Sequence, residues 1–266
     1  MSVITANTGS NSWNTNGAWV GSVQPTAADD VVIPATATVT IPTATTVLGR
    51  SLTVAASGTL AFATTTSVLT LGDATAGLAN VAISIAATAT ITLTGVGLIN
   101  LISTSATQQT ITTNGKILPR VTINGAGSSY LLGDALSLNT TTGAFSLTNG
   151  TFDSASLAMS MNSFTVNNGT RTLTLGSSAI TVTSGGVCWA GGTNTNMTMT
   201  ATTAVVTCTA VFASANNITL GSINYNGLSF VVPNGGQMNI NQNGSTINSF
   251  TFTGRNAKTD FVGLNG

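Results

Sequence analysis

Residues Thr142 to Ser154 read TGAFSLTNGTFDS, and Ser163 to Trp189 read SFTVNNGTRTLTLGSSAITVTSGGVCW. In both stretches an apolar residue alternates with Thr or Ser for a few positions, and each run stops at a glycine-bearing step. Alternation with a period of two places apolar side chains on one face of an extended segment and hydroxyls on the other, which describes a half-buried strand. Asn and Gly tolerate positive φ and turn a chain at little steric cost. The text from Thr142 to Thr183 therefore predicts four or five short strands joined at glycine corners.

The same text runs outward in both directions. From Val31 the segments VVIPATATVTI, SLTV, TLAF, VLTL, VAISIAATATITL, VTI, LSL, FSL, LAMSM, FTV, LTL, ITV, MTM, ITL, MNI and FTF follow one another. Each apolar-x-apolar triplet points two side chains one way and one small polar side chain the other, as a narrow strand packed on one side requires. Asn-Gly steps punctuate them at Asn114-Gly115, Asn124-Gly125, Asn149-Gly150, Asn168-Gly169, Asn226-Gly227, Asn234-Gly235 and Asn243-Gly244. Antiparallel hairpins use the same signal, so β-sandwich or jelly-roll modules are the alternative. Short triplets at irregular but recurrent spacing, small side chains and no crossover helix favour an all-β parallel β-solenoid, in which each coil buries the face its neighbour cannot bury alone. At roughly twenty residues and about 4.8 Å of rise per coil, the chain makes about a dozen coils and a rod of ~60 Å, with Asn and Thr stacked along the axis.

Such a rod needs protected ends. Residues 1–34 carry the candidate cap, with Trp13, Trp19, Pro25, Asp29 and Asp30 combining aromatic area with a turn into the first strand. A sugar-stacking platform on Trp13 and Trp19 is the functional alternative. Residues 35–254 form the repetitive body, and residues 255–266 a tail or a continuation into a partner.

Composition narrows the function classes. Six basic residues balance six aspartates, with no glutamate and no histidine, while 42% of the chain is hydrophobic. Thr, Val and Ile dominate over good helix formers, and regular apolar content argues for a folded chain rather than a disordered one. The scattered Lys116, Arg120, Arg171, Arg255 and Lys258 offer no basic stripe for phosphates, so no nucleic-acid partner is expected. A net charge of zero leaves little long-range repulsion between copies and suits self-association. The start, MSVITANTGSNSW, lacks the charged and apolar regions of a secretory signal, which disfavours classical export from it. The uncharged run from Leu78 to Ser103 is long enough for a membrane span, but Ile83, Ile85, Ala87, Ala89, Ile91 and Leu93 alternate with small residues, so strands and no membrane insertion are expected. Cys188 and Cys208 are too few for a disulfide framework. They are either buried small hydrophobes or neighbours on successive coils.

The tryptophan-rich start followed by P-x-x-x-DDVVIP, and then NGKILPRVTINGAGSSYLLGDALSL (114–138), FSLTNGTFDS (145–154) and RTLTLGSSAITVTSGGVCW (171–189), resembles tailed-bacteriophage virion structural proteins of a Thr/Asn/Gly-rich type. The likeness runs from Ser12 to Gly254. It implies a β-helical fibre, appendage or head-decoration protein without a cofactor, assembled in the host cytoplasm into a virion. The partners it implies are other copies of the chain, other virion proteins and host-surface glycans. Related phrases occur in bacterial surface and adhesin-like repeat proteins, which makes an extracellular filament, surface-layer or adhesin protein the alternative.

Side-chain chemistry gives little to set against a structural role. Without histidine, serine-histidine and cysteine-histidine catalysis are excluded within the chain, as is a histidine zinc site. Paired carboxylates for a polysaccharide depolymerase would have to come from Asp29, Asp30, Asp73, Asp134, Asp153 and Asp260. Asp29 and Asp30 are adjacent and point to opposite faces of a strand, while Asp73 and Asp134 each follow Leu-Gly, where Asp caps its own backbone. No calcium-ligand spacing is present. Tyr130, Trp189, Phe212, Tyr225 and Phe230 are dispersed and read as core or corner residues. The expectation is a non-enzymatic structural protein with no catalytic, cofactor or metal residues.

Overall fold

The structure, a computed structural model, describes residues 2–167, 169–192, 196–209, 216–221, 224–232, 238–241 and 245–252. The strands pair in parallel and wind into a three-faced β-solenoid of about nine turns. Parallel pairing throughout these ladders removes the sandwich and jelly-roll alternatives. The first face begins with Ser2–Thr5, Asp29–Ile33, Ser51–Val54, Val81–Ile85 and Gln108–Thr112. The second carries Gly9–Ser12, Ala37–Ile41, Thr59–Phe62 and Thr90–Leu93 in one sheet, and then a separate sheet starting at Ile117–Leu118. The third begins with Thr46–Gly49, Val68–Leu71 and Leu98–Leu101. Two long strands, Arg120–Leu132 and Ala144–Asp153, bend around the corner between third and first faces and serve both.

The alternation in the sequence sets which side chains enter the core. On the third face Val47, Leu69, Ile99, Val121, Phe145, Phe164, Trp189 and Ile218 lie one above another. The rings of Phe145 and Phe164 are 5.0 Å apart, and those of Phe164 and Trp189 stack at 4.4 Å. On the second face Leu136, Met159, Ile180, Val206 and Phe230 form the matching column. Hydroxyls take the outer positions, as in the aligned Thr151, Thr172 and Thr198. The segment from Leu78 to Ser103 holds Val81–Ile85, Thr90–Leu93 and Leu98–Leu101, and among the described residues no helix is long and apolar enough to cross a membrane.

Coil length departs from the expected twenty residues. Val31 lies over Leu52 and Leu52 over Ile83, so one coil takes 21 residues and the next 31. The surplus is an excursion at the corner after Leu71, which contains a single 3-10 turn at Leu78–Asn80. Longer coils mean fewer of them. At about 4.8 Å each, nine turns rise ~43 Å, shorter than the sequence spacing suggested.

The aromatic cap is an excursion from the first coil. Ser2–Thr5 and Gly9–Ser12 already pair with the next coil, and residues 13–28 then fold back over the end. Ala6 and Trp19 form an antiparallel bridge, and the Trp19 indole N–H donates to the carbonyl of Trp13 at 2.8 Å. Trp13 and Trp19 are 1% and 0% exposed and meet edge to face at 5.1 Å, so they close the apolar end of the rod and present no stacking platform.

Candidate functional site

Polar chemistry among the described residues concentrates at the corners, because the three faces bury apolar columns and expose hydroxyls. Two corner clusters stand apart from simple turns.

The first surrounds Asp30, at the corner where the third face passes into the first. Asp29 and Asp30 point opposite ways, as adjacent strand residues must. Asp29 stays outside, where its carboxylate accepts from the Thr26 N–H at 2.9 Å and the Thr26 hydroxyl at 2.6 Å. Asp30 is buried and forms a two-pronged ion pair with Arg50, whose Nε donates to Oδ1 at 3.0 Å while Nη2 bonds Oδ2. The Ser51 hydroxyl, at 2.5 Å, and the Leu78 N–H, at 3.2 Å, donate to the same Oδ1. Burial pushes the Asp30 carboxyl up, but the bonds from Arg50, Ser51 and Leu78 and the charge of Arg50 outweigh it and hold the pKa below the usual value. Asp30 in turn raises the Arg50 pKa, with help from the charges of Asp73 and Asp29.

The same network ties down the excursion after Leu71. The Gly77 N–H donates to Gln109 Oε1 at 3.1 Å, Gln109 Nε2 to the Ser103 hydroxyl at 3.0 Å, and that hydroxyl to the Asp73 carbonyl at 2.9 Å. The Ser103 N–H then donates to the Tyr130 hydroxyl at 3.2 Å, and burial raises the Tyr130 pKa to about 12. Each polar side chain named here bonds another residue of the cluster. The chemistry it supports is clamping of successive coils.

The second cluster lies at the opposite corner, between second and third faces, where the second-face sheet is interrupted after Thr90–Leu93. There Thr65, Thr66, Val96, Arg120 and Thr142 line an open groove of about 420 Å³. Arg120 sits at the start of its strand and reaches back across two coils. Its Nε donates to the Gly97 carbonyl at 3.4 Å and its Nη2 to the Thr65 carbonyl at 3.1 Å. Among the described residues the only ion pair is Asp30–Arg50, so no carboxylate of the described chain neutralises Arg120.

The predicted turn residues divide by role. Asn114 and Gly115 form a tight turn with φ of +49° and +75°, and Lys116 N–H donates to the Thr113 carbonyl at 3.1 Å. Asn124 and Gly125 lie inside a long strand, where Gly125 is required by close approach: a Cβ there would stand 1.8 Å from the Ser103 carbonyl oxygen. Asn149 donates through Nδ2 to Asn124 Oδ1 at 2.7 Å, an amide ladder between coils. Gly150 has φ of +89°, and Gly169 leaves room for the Asn149 amide, which a Cβ would meet at 1.7 Å. Asn168 lies outside the described residues, as do Asn234-Gly235, Asn243-Gly244, Phe212, Asp260 and the segment 255–266.

Asp134 caps the preceding coil rather than its own backbone: its Oδ1 accepts from the Thr113 N–H at 2.8 Å and its Oδ2 from the Asn114 N–H. Asp73 and Asp153 follow the local pattern, accepting from Ala74 and Ala155 N–H groups respectively. No group of three or more metal-ligating side chains occurs among the described residues. Tyr130, Trp189, Tyr225 and Phe230 are core residues. Cys188 and Cys208 are bridged, with Cα atoms 6.1 Å apart, and link a third-face strand to the second face of the next coil.

Arg50 is the residue that reading the sequence passed over. It stands one coil beyond the Asp29-Asp30 pair and directly before the apolar run SLTV, a position that becomes informative once coil length is known. The groove carries no such signal, because its five residues span 78 positions and are gathered by coil stacking. Comparison with family models, with curated proteins and with solved structures finds no match.

Proposed function

We propose that this chain is a non-enzymatic structural component of a phage particle, a tail fibre, appendage or head-decoration protein that works through rigidity and repeated copies. The observation that carries the reading is the stacking of parallel ladders on the first and third faces, among the described residues, around one apolar core. Backbone hydrogen bonds along the axis make such a body stiff and resistant to local opening. The outward Thr, Ser and Asn ladders offer many weak contacts to other copies, to other virion proteins and to host-surface glycans. The sequence phrases that resemble tailed-phage virion proteins support the viral part.

A second reading, a bacterial extracellular filament, surface-layer or adhesin protein, draws on the likeness of the same phrases to bacterial surface and adhesin-like repeat proteins, and the Cys188–Cys208 bridge is compatible with both readings. Disulfides persist in oxidising surroundings and are rare in a reducing cytosol. A released virion and a cell surface both meet that condition. Cryo-electron microscopy of native particles separates the two: density for this rod on a head or tail supports the phage reading, and the rod in a cell-derived filament replaces it with the second.

A further inference from the structure

The Arg120 groove joins a charge without a carboxylate partner among the described residues to an open volume and a fixed frame. The side-on edge of the guanidinium, Nε and Nη2, is spent on the carbonyls of Gly97 and Thr65. Those two bonds fix the plane of the group. They leave the end-on edge, Nη1 with the second hydrogen of Nη2, turned away from its backbone partners. That edge is a planar fork matched to the two oxygens of a carboxylate.

Around it stand the exposed Thr65, Thr66 and Thr142 with the half-buried Val96. The Thr66 hydroxyl accepts from the Ala44 N–H at 3.0 Å and the Thr142 hydroxyl donates to Asn139 Oδ1 at 3.3 Å, and each keeps a lone pair for a ligand. The volume of about 420 Å³ falls in the range of roughly 300–1,000 Å³ typical of small-molecule sites, and the groove is open to solvent. Mostly apolar walls of threonine methyls and Val96, with a few hydroxyls and a fixed cation beside them, suit a sugar ring that brings an apolar face, a carboxylate and hydroxyls together.

We propose that the Arg120 groove binds the carboxylate of an acidic sugar residue, a uronate within a polysaccharide. The carboxylate takes the end-on fork of Arg120, the ring hydroxyls exchange hydrogen bonds with Thr65, Thr66 and Thr142, and Val96 packs against the ring. A linear glycan crosses the open groove with one residue seated and its neighbours in solvent. The proposal deepens the glycan-contact part of the structural reading, yet it stands or falls separately, because particle location is read by microscopy and this site by binding.

The test titrates the full chain with trigalacturonate, with its fully methyl-esterified form and with triglutamate, by calorimetry and by NMR. Expected are saturable binding of trigalacturonate, none of the ester, weaker binding of triglutamate, and affinity that falls as salt rises. Arg120→Gln is expected to weaken trigalacturonate at least about tenfold. Thr142→Trp, which fills the groove while leaving Arg120 in place, is expected to do the same, and thermal melting of both variants checks that the fold survives. Absence of saturable binding overturns the proposal. So does binding that survives esterification or both substitutions, and so does triglutamate binding as tightly as the sugar acid, which would make the groove a peptide site.

Discussion

Between Asp29 and Ile123 the coils differ in length, and the inward column of the third face is aliphatic, running Val47, Leu69, Ile99, Val121. Beyond Ser129 the coils still differ in length, the first-face steps from Leu131 through Asp153 and Thr174 to Thr200 taking 22, 21 and 26 residues, while the third-face column becomes Phe145, Phe164, Trp189, with steps of 19 and 25. The two regions also differ in the ties added between coils. The early region holds Asp30–Arg50 and the Gln109–Ser103 chain, whereas the later region holds the aromatic stack and the Cys188–Cys208 bridge. Unequal coils give the backbone no unique register, since a period-two strand accepts a slip of two residues without changing faces. Directional bonds at a corner remove that freedom. In the later region stacked rings and one covalent link add to such corner bonds, among them the Ser154–Ser178 hydroxyl pair at 2.7 Å.

Removing the aromatic anchor is expected to have the largest effect. Trp189→Ala empties a fully buried site and should lower unfolding free energy by about 3–5 kcal/mol in urea titration. A loss below about 1 kcal/mol would show that the aromatic stack adds nothing over the aliphatic column.

Arg50→Ala leaves Asp30 buried without its partner and should destabilise by a comparable ~3–5 kcal/mol. The double variant Asp30→Asn with Arg50→Met is expected to recover most of that loss, because two neutral groups carry no uncompensated charge. A double-mutant cycle checks it, and additive losses would mean that the two residues do not act as a pair.

Replacing both Cys188 and Cys208 by Ala releases a loop of 20 residues' separation and should remove about 3 kcal/mol, seen as a lower urea midpoint. Reductant is expected to shift the wild type and not the variant.

The smallest effect is in acid. The Asp30 carboxyl has a folded-state pKa below its unfolded value of 3.8, so its contribution is fully present above that pH and is lost as the pH falls through the lower folded value. Melting temperature of the wild type should therefore drop more steeply below about pH 4 than that of the Asp30→Asn, Arg50→Met variant. Parallel curves would show that the pair's protonation is not linked to folding.

Much of the architecture was legible because a strand's period of two is local. Ile83 and Ile85, or Leu173 and Leu175, announce their face without reference to any other coil. Trp13 and Trp19 announced a covered end for a similar reason: so much aromatic area beside a turn calls for burial. The corners resisted reading. Gly125 looks like a turn glycine in the sequence and is a clearance glycine in the fold, and Asp134 looks like a cap for its own turn and serves the coil before it.

The sequence by itself determined that the chain is all-β and which side chains line the core, and it favoured a solenoid with one end closed by an aromatic segment. Each of these follows from alternation, composition and turn chemistry within a few residues of one another. Tertiary structure alone decided how many residues each coil takes, that Asp30 meets Arg50, that Cys188 bridges Cys208, and that Thr65, Val96, Arg120 and Thr142 share a groove. Those contacts join residues separated by whole coils, and the excursions that set coil length leave no periodic trace in the text.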